Sequence, residues 1–194
     1  MTSPSPDTAT HQPLAGVRVL DLTRLLPGPA ATRHLADLGA EVIKIEDPGP
    51  GDYARDMMRT SADRAAERPS LFFRSLNRGK TEMRLDLKRA EDRDALIELV
   101  RHANVLIESF RPGVMARLGV GWDTLRAANP ALVMCSISGY GQDGPLAQAA
   151  GHDINYVGYA GMLDQLASAD GTPIVPNVQI GDLLGGALTA VVGI

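Results

Sequence analysis

Val17-Arg18-Val19-Leu20-Asp21-Leu22, then Ala30 to Leu38 (AATRHLADL), then Glu41-Val42-Ile43-Lys44-Ile45-Glu46 decide the fold. The two outer runs are rich in β-branched and other apolar residues, whereas the middle one spaces its apolar positions as a helix does. Strand, helix and strand within so short a stretch form a βαβ unit, which joins two parallel strands by a crossover. A second unit follows, with a strand-like run over 81–87, a helix over 91–102 built on Leu96, Ile97, Leu99 and Val100, and a strand over 104–108. Short helices over 113–118 and 123–128 lead to a further strand over 132–138. The expected fold class is α/β, a Rossmann-like, mostly parallel sheet covered by helices. Beyond Gly139 the chain turns to loops and glycine-rich helices, over 151–163 and from 179 onward. Between the two units, residues 49–77 carry Pro, Gly and mixed charges, which suits either a solvated excursion or a binding lid.

Composition narrows the class of function. A chain of 194 residues with 44% apolar and 22% charged side chains is long enough to bury a core without disulfides. No uncharged apolar run approaches the roughly 18 residues of a membrane span, so no membrane partner is expected. A net charge of -4 lacks the overall basic footprint of a nucleic-acid binder. The single cysteine, Cys135, rules out an intrachain disulfide framework and a zinc ribbon, and a reducing cytoplasm is the expected location. Residues 1–13 are Ser/Thr/Pro-rich, without the basic and apolar regions of a secretory signal, and read as a disordered tail that leaves 14–194 as the folded unit. From Pro176 onward the apolar helical pattern has no C-terminal cap, and the expectation is the N-terminal portion of a longer protein.

The turn after the first strand, Leu25-Leu26-Pro27-Gly28-Pro29, has one glycine where a dinucleotide fingerprint needs three, and no Walker loop occurs. NAD and phosphoryl transfer are therefore disfavoured. A local basic cluster (Arg74, Arg78, Lys80, Arg84, Lys88, Arg89) stands against Glu82 and Asp86, and Asn77-Arg78-Gly79-Lys80 could offer cations and amides to phosphates. Taken alone, the cluster reads more simply as a solvated edge strand. Of four histidines only His152, in Gly151-His152-Asp153-Ile154-Asn155-Tyr156, is framed by polar neighbours and a glycine. It has no second ligand at metal spacing, so no metal is expected, and a lone histidine at a helix start is more often structural. Asp182 is a carboxylate in an otherwise apolar segment beside Gly181, Gly185 and Gly186. Burial would raise its pKa, although a helix-start role is the simpler reading of the residue by itself.

Together these blocks resemble the superfamily of family III CoA-transferases and α-methylacyl-CoA racemase. The resemblance is carried by residues 14–21, Pro27-Gly28-Pro29, residues 35–46, Asn77-Arg78-Gly79-Lys80, Leu85-Asp86-Leu87-Lys88, Phe110-Arg111-Pro112-Gly113-Val114, Gly139-Tyr140-Gly141-Gln142 and Gly151 to Tyr156. It implies a CoA thioester as substrate with no other cofactor, and a Rossmann-like domain with a smaller one in chains that interlock as homodimers at full length. It also implies CoA and substrate contacts at Arg78, Lys80, Leu85, Asp86, Leu87, Lys88, Arg111, Gly151, Asp153, Ile154, Asn155 and Tyr156.

In the racemases the histidine of this block and an aspartate thirty residues later are the catalytic bases, which here are His152 and Asp182. In the transferases the aspartate is a nucleophile and the histidine position generally holds another residue. Inverting a carbon α to a thioester needs acid/base groups on both faces, and preorganised donors for the enolate; the amides near 151–153 and beside Asp182 are candidates. The expectation is therefore racemisation of 2-methylacyl-CoA by His152 and Asp182, with CoA transfer through Asp182 as the alternative. Asp47 to Asp52 and Ser70 to Asn77 resemble the transferases more closely.

Overall fold

The structure is a computed structural model that describes residues 12–194, so most of the expected tail lies outside it. Gln12 is already tied to the fold, because its carbonyl accepts a hydrogen bond from the Ala15 amide at 3.0 Å. Five strands, β1 (Arg18–Leu22), β2 (Glu41–Glu46), β3 (Thr81–Arg84), β4 (Val105–Glu108) and β5 (Val133–Ser136), form one sheet in the order β3-β2-β1-β4-β5. Every neighbouring pair is parallel. The near-continuous apolar runs of β1, β2 and β4 follow from this, since a parallel strand is covered on both faces.

Strand alternation divides the core. Leu20, Leu22, Ile43, Ile45 and Leu106 meet Leu96 and Val100 of α4 (Ala90–Arg101) and Leu125 of α6 (Trp122–Ala128) on one face. Val19, Val42, Val105 and Ile107 meet Leu35 of α1 (Pro27–Asp37) on the other. Fully burying side chains of this size stabilises the fold by about 1.5–3 kcal/mol each.

The structure redraws three expected elements. Strand β3 ends at Arg84, and Leu85 and Leu87 instead fold down to pack on the α4-side core. The stretch 49–77 is no solvated loop: it holds a short 3-10 turn (Tyr53–Arg55), α2 (Ser61–Ala65) and α3 (Leu71–Asn77), with Ala54, Asp63, Ser70 and Phe73 buried. Thr60 and Ser70 cap its two helices. The helix expected over 151–163 is split into α7 (Asp153–Tyr159) and α8 (Met162–Gln165), where Gly158 and Gly161 lower helix propensity. Val114–Arg117 forms the short α5.

The last segment is a π-helix over Gly181–Leu188 that continues into α9 (Thr189–Gly193). Its Ala187, with Ala190 of α9, packs on Ala30 and Ala31 of α1. The approach is close enough that a Cβ on Gly186 would lie 2.8 Å from the Pro27 Cβ. Only glycine leaves room there. No helix among the described residues is long and apolar enough to cross a membrane.

Candidate active site

In open α/β sheets ligands bind beyond the carboxyl ends of the strands, where the strand order reverses; here that point lies between β1 and β4. Alternation also brings Asp21, Lys44 and Glu46 onto the α1 face, and all three are buried. Asp21 accepts from the Thr23 amide (2.9 Å) and hydroxyl (2.5 Å), the Thr32 hydroxyl (2.6 Å) and Lys80 Nζ (3.0 Å). Burial pushes this carboxyl up, but Lys80, Lys44 and the two hydroxyls outweigh burial and hold it at about 2. Lys44 donates to the Thr23 carbonyl at 2.8 Å and lies 3.2 Å from Asp52 Oδ2, an atom with no aligned hydrogen bond. The other Asp52 oxygen accepts from the Leu25 and Ala54 amides. Arg55 forks onto Glu46 at 2.9 and 2.6 Å and lies 4.0 Å over the Phe73 ring. These contacts fasten the 49–77 stretch to β2.

This network corrects the expectation for Lys80. Its side chain is wholly buried, with Nζ among Asp21 Oδ2, the Pro29 carbonyl, the Thr32 hydroxyl and Asn77 Oδ1 at 2.7–3.0 Å. An ammonium has three protons, and four acceptors already surround this one, so none remains for a phosphate. Burial lowers its pKa to about 8 despite the Asp21 charge. Arg78, by contrast, is 77% exposed, with Asp37 at 3.9 Å. Lys88 is exposed too. Leu85 and Leu87 are partly buried, and Asp86 holds the turn by accepting from the Lys88 amide at 3.1 Å.

The structure does bring the histidine block and Asp182 together. His152 is the N-cap of α7, and its amide donates to Asn155 Oδ1 at 3.0 Å. Asp153 Oδ1 accepts from the Asp182 amide at 2.9 Å, across 29 residues of sequence. The Tyr156 hydroxyl donates to the Gly151 carbonyl at 2.6 Å, and its ring stands edge-on to Tyr140 at 5.2 Å. Burial and the Asp153 charge raise the Asp182 pKa, while His152 opposes them. Among the described residues no donor bonds the Asp182 side chain. Ile154 and Asn155 are exposed. The amides expected to hold an oxyanion are partly committed elsewhere: that of His152 to Asn155, that of Asp182 to Asp153, and that of Leu183 to the Gln179 carbonyl.

Glu108 is a buried carboxylate that no motif in the sequence singles out. It ends β4, is buried, and accepts from the Phe110 amide at 2.7 Å; burial raises its pKa against that bond and one from Ser136. With Arg111, Trp122, Met134, Ser136 and Gln142 it lines a cleft of about 320 Å³. Arg111 Nη1 also reaches the Gln148 carbonyl at 3.5 Å. The available signal was a carboxylate closing the apolar run Val105-Leu106-Ile107.

The molecule is of the α/β class, a parallel sheet with a half-buried aspartate, its side chain unbonded among the described residues, set beside a histidine-capped helix. The family model for CoA-transferase family III matches residues 14–194, and the chain belongs to that family. It is 38% identical over 183 residues to the succinyl-CoA:glutarate CoA-transferase of Mus musculus, covering 94% of this chain and 41% of that protein. It is 43% identical over 175 residues to the acetyl-CoA:oxalate CoA-transferase of Acetobacter aceti, covering 90% and 44%. A CAIB/BAIF family protein from Brucella suis superposes with a TM-score of 0.86 at 36% identity, covering 95% of this chain and 48% of that one. A hypothetical protein from Mycobacterium tuberculosis gives 0.81 at 35%, covering 94% and 49%. The chain thus spans less than half the length of these relatives. Their names favour transfer of CoA over the racemisation that the His152–Asp182 spacing suggested.

Proposed function

We propose that the protein moves CoA between carboxylic acids, with Asp182 as the nucleophile. The observation that carries this reading is the state of Asp182: half-buried, raised in pKa, and without a donor on its carboxylate among the described residues. Weak solvation makes a carboxylate more basic and more nucleophilic. An Asp182 oxygen attacks the thioester carbonyl, the C–S bond breaks, and CoA leaves as the thiolate from an aspartyl–acyl anhydride. The thiolate then attacks the aspartyl carbonyl and expels the first acid, leaving an aspartyl–CoA thioester. A second carboxylate repeats the two steps in reverse, which yields the new CoA ester and restores Asp182.

Exposed Arg78 and Lys88 are the cations proposed to meet the phosphates of CoA, and Arg111 with Glu108 borders a cleft for the remainder of the ligand. Small dicarboxylates are the proposed acids, because the relatives are named for succinate, glutarate and oxalate. The test is to incubate the full chain with succinyl-CoA and glutarate or oxalate and follow the new CoA ester, with hydroxylamine to trap an acyl-enzyme. Transfer together with a hydroxamate at Asp182 is expected. The proximity of His152 favours a second reading, racemisation. Deuterium entering the α-carbon of a 2-methylacyl-CoA from heavy water, with no transfer, would establish racemisation and sink the transferase reading.

A further inference from the structure

We infer that Asp153 is a positioning residue, whose carboxylate fixes the start of the π-helix and so aims Asp182. This inference rests on Asp182 being the acyl-accepting carboxylate. The hydrogen bond from the Asp182 amide to Asp153 Oδ1, at 2.9 Å, is the polar link that ties the backbone of the reacting residue to α7. Gly181 lets the link form: a Cβ there would lie 3.1 Å from Asp153 Oδ1, 3.4 Å from the Asp153 carbonyl oxygen and 3.4 Å from the Tyr156 Cβ. Two features far apart in sequence, a carboxylate and a missing side chain, therefore serve one contact. The segment they hold is a π-helix, a rare form that frequently occurs at functional sites. Held this way, the start of the π-helix has little freedom, and the nucleophile meets the thioester without first being ordered.

The same carboxylate also sets the field around the nucleophile. Among the described residues, the titratable groups that face Asp182 are Asp153, His152 and Tyr156, all on α7 or at its cap. Helix α1 meets the π-helix and α9 through Pro27, Ala30 and Ala31, which carry no charge. Asp153 thus both binds and repels: its oxygen accepts the amide, and its charge disfavours a second charge on the neighbouring carboxyl.

The two roles separate in mutants of the full chain assayed with succinyl-CoA and a dicarboxylate acceptor. Asp153→Asn keeps an acceptor oxygen and removes the charge. It should lose markedly less kcat than Asp153→Ala and move the acid limb of kcat/KM to lower pH. Asp153→Ala removes both, and should lower kcat by roughly 10–100-fold with KM for the CoA ester changed far less. Gly181→Ala should show the same kcat loss but add little in the Asp153→Ala background, since both changes break one contact. Wild-type kcat in Asp153→Ala with an unmoved acid limb overturns the inference, as does equal kcat loss in Asp153→Asn and Asp153→Ala. The Asp182 reading is judged separately. If Asp182→Asn still transfers CoA, that reading and this inference fall together; if it is dead while Asp153→Ala is normal, only the inference falls.

Discussion

Asp21, bonded to Thr32 of α1, and Asp182, in the first turn of the π-helix that packs on α1, are two aspartates that the molecule treats in opposite ways. Asp21 is fully enclosed, saturated by Thr23, Thr32 and Lys80, and held at about 2. Asp182 is half-buried, unbonded through its side chain among the described residues, and raised by burial and by Asp153. Both sit in largely apolar runs, Val19-Leu20-Asp21-Leu22 and Ile180-Gly181-Asp182-Leu183-Leu184, so composition alone does not separate them. Their partners do. A carboxylate whose lone pairs are all engaged by hydroxyls and an ammonium is part of the scaffold, whereas one left short of donors retains its capacity to react.

The sharpest way to break this comparison is to remove each carboxylate. Asp182→Asn should cut CoA transfer by at least about 10⁴-fold and abolish hydroxamate formation, with the thermal unfolding transition little changed. Asp21→Ala should act on stability instead. Removing the ion-pair partner of buried Lys80 is expected to cost about 3–5 kcal/mol, read from urea denaturation near neutral pH. Loss of activity without loss of stability in Asp21→Ala would reverse the two assignments.

Acid sharpens the same contrast. Because the folded-state pKa of Asp21 is depressed, its contribution to stability is present above the unfolded value near about 4 and is lost as pH falls toward about 2. Asp182 is shifted the other way, so activity should fall at a higher pH than an ordinary carboxylate would give, while the fold is still intact. A pH–rate profile recorded beside a pH–stability curve should show activity failing first. Coincident curves would contradict the difference drawn between the two groups.

The smallest expected effect belongs to the basic cluster, where the structure separates one buried cation from two exposed ones. Arg78→Ala combined with Lys88→Ala should raise KM for CoA esters by roughly 3–10-fold and leave kcat near wild type. Lys80→Ala should instead lower stability, since it uncovers Asp21. If the exposed pair proves silent in KM, the CoA phosphates lie elsewhere.

Much of the fold was legible in the sequence because parallel strands carry their own signature. The runs at Val17 to Leu22, Glu41 to Glu46 and Asn104 to Glu108 carry apolar residues on both faces, and the helices between them show helical spacing, so the βαβ units and the five strands fall within their expected stretches, β3 and β5 being shorter than expected. The stretch over 49–77 was not legible. What orders it is Arg55 on Glu46 and Asp52 on the amides of Leu25 and Ala54, contacts whose partners lie in other elements. The split of 151–163 was equally hidden, since glycine lowers helix propensity without saying where a helix stops.

By itself the sequence determined the α/β class, the family blocks, and the presence of one histidine and one aspartate thirty residues apart. It also showed a basic cluster at an edge strand. Only the tertiary structure decided which of those charges is free. Lys80, which reads like its neighbours, is drawn under α1 by Asp21, Thr32 and Asn77, while Arg78 two residues earlier faces water. Only the structure bound the Asp182 amide to Asp153 and enclosed Glu108 at the end of β4. The reason is physical: a residue's type sets what it can donate or accept, but burial and the number of partners within reach set its charge and reactivity. Those are properties of segments far apart along the chain that meet only on folding.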